Sequence, residues 1–135
     1  MLTMVISNLF NRHRYLLESQ EISEFQKTAF VQIASQKATA GEIKNSLILL
    51  TDMMQTYYGK KVLLLVDEYD VPVAKANNNG YYEEMLDVMK GLMQALKDNR
   101  ALGFAVVTGC MKIAKESIFT GTNNFVSRYY SRFQA

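Results

Sequence analysis

The chain has 135 residues, of which 49% are hydrophobic and 21% charged, which is typical of one globular domain and excludes a disordered chain. The formal net charge of +2 argues against nucleic acid or an anionic membrane as a partner of the chain alone. A single cysteine, Cys110, excludes an intrachain disulfide and is expected to be a small core residue.

Localisation is expected to be cytoplasmic, without a membrane partner. No apolar run reaches the roughly 18 residues that a membrane span requires, and the N-terminus lacks the basic flank and cleavage site of a signal peptide. One domain is expected over 1–135, with a helical part at 1–58, an α/β core at 59–126 and a tail at 127–135.

Three helices are expected before residue 59. Apolar residues recur at helical spacing over residues 3–17, 23–36 and 39–58. His13 lies among polar neighbours in the first of these and is interpreted as a solvated surface residue.

Capping signals define where the second and third helices begin. Ser23 precedes Gln26 by three residues, and Thr39 precedes Glu42 by three, which is the spacing of a capping box. Gly59 is expected to end the third helix in a left-handed conformation.

An unbroken run of five apolar residues at 62–66 leads directly into Asp67 and Glu68, with Asp70 two positions further on. Such a run predicts a strand that is buried on both faces in a parallel sheet. Acids at its carboxyl end have the form of a Walker B segment, in which the first acid holds Mg²⁺ and the second positions and deprotonates the attacking water. The alternative is an ordinary strand end with solvated acids.

The sequence contains no phosphate loop. That motif requires Gly-x-x-x-x-Gly-Lys-Ser/Thr between a strand and a helix, so that backbone N–H groups can surround the phosphates. Residues 41–46 hold a glycine, a lysine and a serine at the wrong spacing, and no strand is predicted before them.

A strand–helix–strand unit follows the acids. Pro72 and the polar turn at 77–80 precede a helix predicted at 81–98, whose methionines form a packing stripe rather than a ligand site. A second parallel strand is expected, so that the strands cover about 61–67 and 102–108. Thr108 lies at the tip of the second strand. It either senses a γ-phosphate and orients water or satisfies the last backbone groups of the strand.

The remaining residues predict a short helix at 111–119 and a basic, aromatic tail at 127–133. Lys112 and Lys115 point either toward the phosphate edge or into solvent. The tail has a composition that can bind single-stranded nucleic acid, or it is a frayed terminal element.

Four segments resemble the AAA-ATPase-like family of bacterial P-loop proteins in order and spacing. They are LLLVDEYDVP (63–72), GYYEE (80–84), FAVVTGC (104–110) and IAKESIFTGTNNF (113–125). The helices of residues 3–37 also look like the segment that precedes Walker B in that family.

The resemblance implies a partial P-loop ATPase-type α/β sandwich that uses Mg²⁺ and ATP. It implies that Asp67 binds Mg²⁺, that Glu68 is the catalytic acid and that Thr108 is the sensing residue. Lys112 stands near an arginine of the family, which implies a weakened cationic role toward the nucleotide. The family's phosphate loop lies upstream, and many members continue into a restriction-endonuclease-like domain, so the chain is expected to be the central to C-terminal part of an ATPase domain.

Three functions are therefore open. The first is an ATPase fragment that is inactive or very weak alone. The second is a non-enzymatic interaction module whose partner is a second copy of the chain or the remainder of the ATPase domain. The third is a metal-dependent nuclease using Asp67, Glu68 and Asp70, which lacks a basic groove and a lysine after the acids.

Overall fold

The computed structural model describes residues 2–68, 79–80, 82–97 and 99–109. Its helices are α1 (Leu2–Asn11), α2 (Glu24–Ala34), α3 (Ala40–Lys44), α4 (Ser46–Tyr58) and α5 (Tyr82–Met93), with 3-10 helices at Arg14–Glu18 and Gln94–Leu96. Two strands, β1 (Val62–Val66) and β2 (Leu102–Val107), form one sheet.

The first predicted helix is two elements rather than one. α1 ends at Asn11, and a 3-10 helix follows from Arg14. The chain turns at His13, whose backbone lies at φ −114° and ψ 24° and whose N–H donates to the carbonyl of Phe10 at 2.8 Å. The turn allows Leu16 to be fully buried in the core. Core packing therefore interrupts a helical pattern that looks continuous in the sequence.

The predicted caps are present. The Thr39 hydroxyl accepts from the Glu42 N–H at 3.2 Å while the Glu42 carboxylate accepts from the Thr39 N–H at 2.8 Å, which completes a capping box. Ser23 caps α2 by accepting from the Gln26 N–H at 3.2 Å, but the predicted capping box is not completed there, because the Gln26 side-chain oxygen accepts from the Ser23 hydroxyl at 3.3 Å rather than from the Ser23 N–H. Gly59 ends α4 with φ +66°, the left-handed conformation that favours glycine.

The third predicted helix is divided at Asn45, where ψ rises to 5°. The Asn45 side chain donates to the carbonyl of Gly41 at 3.0 Å, and the neighbouring Ser46 hydroxyl donates to the carbonyl of Ile43 at 2.7 Å. These side chains satisfy carbonyls of the last turn of α3, so the break leaves few polar groups unpaired.

The core lies between the helices and one face of the sheet. Phe10 of α1 and Phe30 of α2 are fully buried with ring centroids 4.8 Å apart. The other large, fully buried apolar side chains are Leu16, Ile33 and Met53. Fully burying such a side chain stabilises the fold by about 1.5–3 kcal/mol, so this cluster is the main favourable term for the helical part.

α5 packs its methionine face into the same core. Leu86, Met89, Leu92 and Met93 are buried, which confirms the predicted packing stripe. The helix is shorter than the predicted 81–98, because its last residues wind into a 3-10 turn before Lys97.

Asn99 fixes the entry into β2. Its side-chain nitrogen donates to the Thr51 hydroxyl of α4 at 3.0 Å, and its side-chain oxygen accepts from the Ala101 N–H at 3.0 Å. The start of β2 is thereby held to a buried position on α4.

β1 and β2 are parallel, as predicted, with Val62 opposite Leu102 and Leu63 opposite Phe104. The register shift leaves Gly103 as an extra residue in β2. A Cβ at Gly103 would lie 3.1 Å from the Cβ of Lys61, so a side chain there would crowd the neighbouring strand.

The expectation of a strand buried on both faces is wrong for the described residues. Leu64, Val66 and Val107 pack on the core, whereas Leu63, Leu65 and Phe104 are 66%, 74% and 64% exposed. Consecutive side chains of a strand point to opposite faces, and helices cover only one face here. Leu63, Leu65, Phe104 and Val106 are termed the outer sheet face.

The described part is a mostly helical structure with one parallel sheet, consistent with the predicted partial α/β fold. None of the described helices combines the length and apolar character needed to cross a membrane.

Candidate functional site

The two strands bring Asp67 and Thr108 together. Each residue directly follows a strand, and parallel strands end at the same edge of a sheet. The Thr108 N–H donates to the Val66 carbonyl at 2.8 Å, which extends the ladder to the strand tip. The Thr108 hydroxyl then donates to Oδ1 of Asp67. The predicted site residues Asp67 and Thr108 are therefore in direct contact.

Glu68 joins the same cluster through its backbone. Its N–H donates to Oγ1 of Thr108 at 3.2 Å. Its φ of +52° lies in the left-handed region, which is uncommon for a residue with a side chain. Such a conformation costs about 1–2 kcal/mol. Both carboxylates and the Thr108 hydroxyl are exposed to solvent at this edge.

These groups match the chemistry of a magnesium site that is completed by a ligand. Mg²⁺ prefers oxygen ligands and is commonly held by one or two carboxylates together with phosphates and water. With Oδ1 of Asp67 accepting from Thr108, Oδ2 is the carboxylate oxygen left for an ion. Among the described residues, no group of three or more His, Cys, Asp or Glu side chains converges on a potential metal position. An all-protein cage is thus absent from that part of the chain.

Several residues of the sequence interpretation lie outside the described residues. They are Asp70, Cys110, Lys112 and Lys115, together with the predicted helix at 111–119 and the tail at 127–133. The predicted contact of Lys112 with a nucleotide therefore stays a prediction.

The false phosphate-loop candidate at residues 41–46 has a structural role. Residues 40–44 form α3, and Lys44 is ion-paired with Asp87 of α5. Lys44 is thus engaged between two helices, which agrees with the interpretation that this segment is not a phosphate loop.

His13 is not the solvated residue that the sequence indicates. Its ring is half-buried beside Tyr15, with Nδ1 2.9 Å from the Tyr15 hydroxyl and ring centroids 5.6 Å apart. The Tyr58 hydroxyl donates to that of Tyr15 at 2.7 Å, and Tyr57 packs edge-on against both tyrosines. His13, Tyr15, Tyr57 and Tyr58 are termed the tyrosine cluster. The sequence carries no signal that joins residues 13–15 to residues 57–58.

The cluster changes the acid–base properties of two members. Burial, and then the charge of Arg12, lowers the pKa of His13 below its ordinary value of 6.5. Burial first, and then the hydrogen bond from Tyr58, raises the pKa of Tyr15 to about 12. The Tyr15 oxygen accepts from Tyr58, and its own proton can be donated to Nδ1 of His13 in the tautomer whose Nδ1 carries no hydrogen.

Comparisons with known proteins agree with the sequence resemblance. The family model described as "Predicted AAA-ATPase" matches residues 4–119. The chain is also 37% identical over 68 residues to the "Uncharacterized protein in vnfD 5'region" of Azotobacter chroococcum mcd 1, a match that covers 49% of this chain and 13% of that protein. No solved structure matches. Since the family model spans most of its length, the chain belongs to the predicted AAA-ATPase family.

Proposed function

We propose that Asp67, Glu68 and Thr108 form the Mg²⁺-binding and water-activating part of an ATP-hydrolysing site, in the manner of a Walker B segment. The observation that carries the proposal is the hydrogen bond from the Thr108 hydroxyl to Asp67 across two parallel strand ends. Ligands of open α/β sheets bind at this edge, and membership of the predicted AAA-ATPase family supports a nucleotide as the ligand.

Each residue has a separate role in this proposal. Thr108 holds the Asp67 carboxylate in one orientation, leaving Oδ2 for the ion. Glu68 is exposed to solvent beside them and is the base that orients and deprotonates the attacking water. Bound Mg²⁺ would supply neutralisation of the phosphate charge.

The phosphate-binding side of the site would have to come from elsewhere. The 135 residues hold no Gly-x-x-x-x-Gly-Lys-Ser/Thr motif, and phosphoryl transfer depends on holding the phosphates as well as on activating water. We therefore expect the chain alone to show no measurable ATP hydrolysis and at most weak binding of Mg²⁺·nucleotide. Tight binding of Mg²⁺·ATP in calorimetry with this chain alone would contradict that expectation.

Paramagnetic Mn²⁺ tests the proposed ion site directly, because it replaces Mg²⁺ at oxygen ligands and broadens nearby NMR signals. We expect Mn²⁺ to broaden the amide signals of Asp67, Glu68 and Thr108 first, and expect Asp67→Asn to remove the effect. Asp52→Asn is the matched control, since Asp52 is an exposed carboxylate on α4. Equal broadening in wild type and Asp67→Asn would overturn the assignment.

A second candidate function is protein interaction through the outer sheet face. Leu63, Leu65, Phe104 and Val106 lie side by side on paired strands and are 41% to 74% exposed. Contiguous apolar surface of this kind marks an interaction site. Among the described residues β1 pairs only with β2, and an unpaired strand edge can accept a further strand.

We infer that the partner that binds this sheet is the part of an ATPase domain that carries the phosphate loop. A parallel strand added beside β1 would end at the same edge as Asp67, so a loop after that strand would lie next to the acids. The chain spans 13% of the length of the relative described above, which leaves ample sequence for such a unit in proteins of this kind.

Analytical sedimentation of the isolated chain tests whether the partner is instead a second copy of the chain. We expect the isolated chain to remain monomeric at low micromolar concentration, and expect Leu65→Ser to change only its tendency to aggregate at high concentration. A discrete dimer that Leu65→Ser dissociates would instead assign the outer sheet face to self-association.

A further inference from the structure

The tyrosine cluster lies far from the candidate site and is not used by the proposed ATPase function. It joins the 3-10 helix after α1 to the end of α4, just before β1 begins. Asp67 lies at the other end of β1, and a strand of five residues spans roughly 17 Å. A ligand on the tyrosine cluster would therefore lie near the amino end of β1, whereas the candidate site lies at its carboxyl end.

The cluster presents aromatic surface to solvent. Tyr57 and Tyr58 are 44% and 51% exposed, and their rings form a T-shaped pair with centroids 5.0 Å apart. The hydrogen bonds from Tyr58 to Tyr15 and between Tyr15 and His13 hold the rings in place. A rigid, partly exposed group of rings loses little conformational entropy when a planar ligand stacks on it.

Positive charge is concentrated around these rings. Arg12 and Arg14 flank His13, and Lys60 and Lys61 follow the tyrosine pair. No aspartate or glutamate occurs in residues 12–17 or 53–66. The two segments therefore carry four cations and no carboxylate, and Glu18 and Asp52 directly border them.

These cations are available to a ligand. In the described part of the chain, ion pairs join Lys27 to Glu24 and Lys44 to Asp87, and none involves the four cations. Arg14 donates from Nε to the Asn11 side chain at 2.8 Å, which orients it without neutralising its charge. All four side chains are exposed.

We propose that the tyrosine cluster and its four flanking cations form a binding site for single-stranded nucleic acid without sequence preference. Stacking of bases on aromatic rings combined with cations along the backbone is the chemistry by which such sites bind. An acidic peptide would satisfy the cations but would leave the rings without a stacking partner. A duplex offers phosphates but keeps its base faces stacked on each other.

Fluorescence anisotropy with a labelled oligothymidylate of about 12 nucleotides tests the proposal, because thymine strands have little structure of their own. We expect the full chain to bind at low salt. Tyr57→Ala should weaken binding about tenfold, whereas Tyr57→Phe, which keeps the ring, should leave it nearly unchanged. Phe25→Ala is the matched control, since Phe25 is an exposed aromatic residue on α2 outside the cluster.

The charges are tested separately by the salt dependence. Each neutralised phosphate contributes a slope of about 0.7 in log K against log salt for single strands, so Arg12→Gln with Arg14→Gln should flatten the slope by about 1.4. Both side chains are exposed, which keeps this double variant informative if Tyr57→Ala fails to fold. Lys97→Gln, an exposed cation elsewhere, should change the slope less.

Three results would overturn the proposal. The first is no binding of the oligonucleotide at low salt. The second is equal displacement by duplex DNA and by polyglutamate, which would assign the cations to anionic partners in general. The third is binding that the double arginine variant and Tyr57→Ala both leave unchanged although both fold.

Discussion

The hydroxyl of Thr108 donates to the carboxylate of Asp67 although 41 positions separate them in the chain. Two parallel strands that differ by one bulge bring these residues to the same edge, and the same hydroxyl accepts from the Glu68 N–H. One side chain thereby orients a carboxylate and holds the backbone that carries the next one.

Replacing Thr108 by valine should lower the free energy of unfolding by about 1 kcal/mol. Valine keeps the shape of threonine but removes the hydroxyl, and the exposed Asp67 and Glu68 groups can turn to water, so the loss stays modest. Urea denaturation measures it. Thr108→Ser is the control and should retain most of the stability. Equal stability of Thr108→Val and wild type would show that the contact contributes nothing in solution.

The Glu68→Gly variant should have a free energy of unfolding about 1 kcal/mol higher than that of the Glu68→Ala variant. Its φ of +52° is unfavourable for any residue with a Cβ, so Glu68→Gly relieves strain that Glu68→Ala retains. Lys97 is the matched control, because its φ of −107° is ordinary and the order should reverse there. Thermal unfolding of the four variants decides the point, and the same order at both positions would contradict it.

Gly91→Ala should destabilise the fold although alanine is the better helix former by about 1 kcal/mol. A Cβ at Gly91 would lie 2.5 Å from Cβ of Lys44 and 3.2 Å from its Cα, so α3 and α5 would have to move apart. We expect a net loss of about 1–3 kcal/mol in urea denaturation.

Gly41→Ala is the control for this close approach. Gly41 lies in the first turn of α3, and a Cβ added there would have only the Thr39 hydroxyl within 4 Å, at 3.9 Å. That variant should be as stable as wild type or more so. A gain in stability at both glycines would rule out the close packing of α3 on α5.

His13 should titrate below its ordinary value of 6.5, because burial and Arg12 disfavour the charged imidazole. Because the pKa of His13 is lower in the folded chain, the unfolded chain takes up the imidazole proton at a higher pH than the folded chain does. The contribution of neutral His13 to the free energy of unfolding is therefore fully present above pH 6.5 and is lost as the pH falls through the folded-state pKa. The single histidine of the sequence gives one unambiguous NMR titration curve.

Arg12→Gln tests the second cause of that shift. Removing the guanidinium charge should move the NMR midpoint of His13 upward, toward 6.5, while the burial contribution remains. Arg14→Gln serves as the comparison and should have the smaller effect. A midpoint at or above 6.5 in the wild-type chain would contradict the half-buried position of His13.

Local signals explain why much of the fold was predictable. The capping box at Thr39 and Glu42 and the left-handed Gly59 depend on neighbours within four residues, and both are present. The strand limits and their parallel pairing follow from apolar runs separated by a helix. The breaks at His13 and Asn45 are not predictable from local signals, because they accompany contacts between elements: Leu16 is buried after the first break, and α3 before the second contacts α5 through Lys44.

The apolar run before Asp67 determined by itself that this segment is a strand and that two acids follow its carboxyl end. It did not determine which strand faces are covered, since that depends on helices from other parts of the chain. The partnership of Asp67 with Thr108, and of Tyr15 with Tyr58, likewise exists only in the tertiary structure. The physical reason is that a residue's own neighbours specify its backbone geometry, whereas its contacts over 40 positions depend on how whole elements pack.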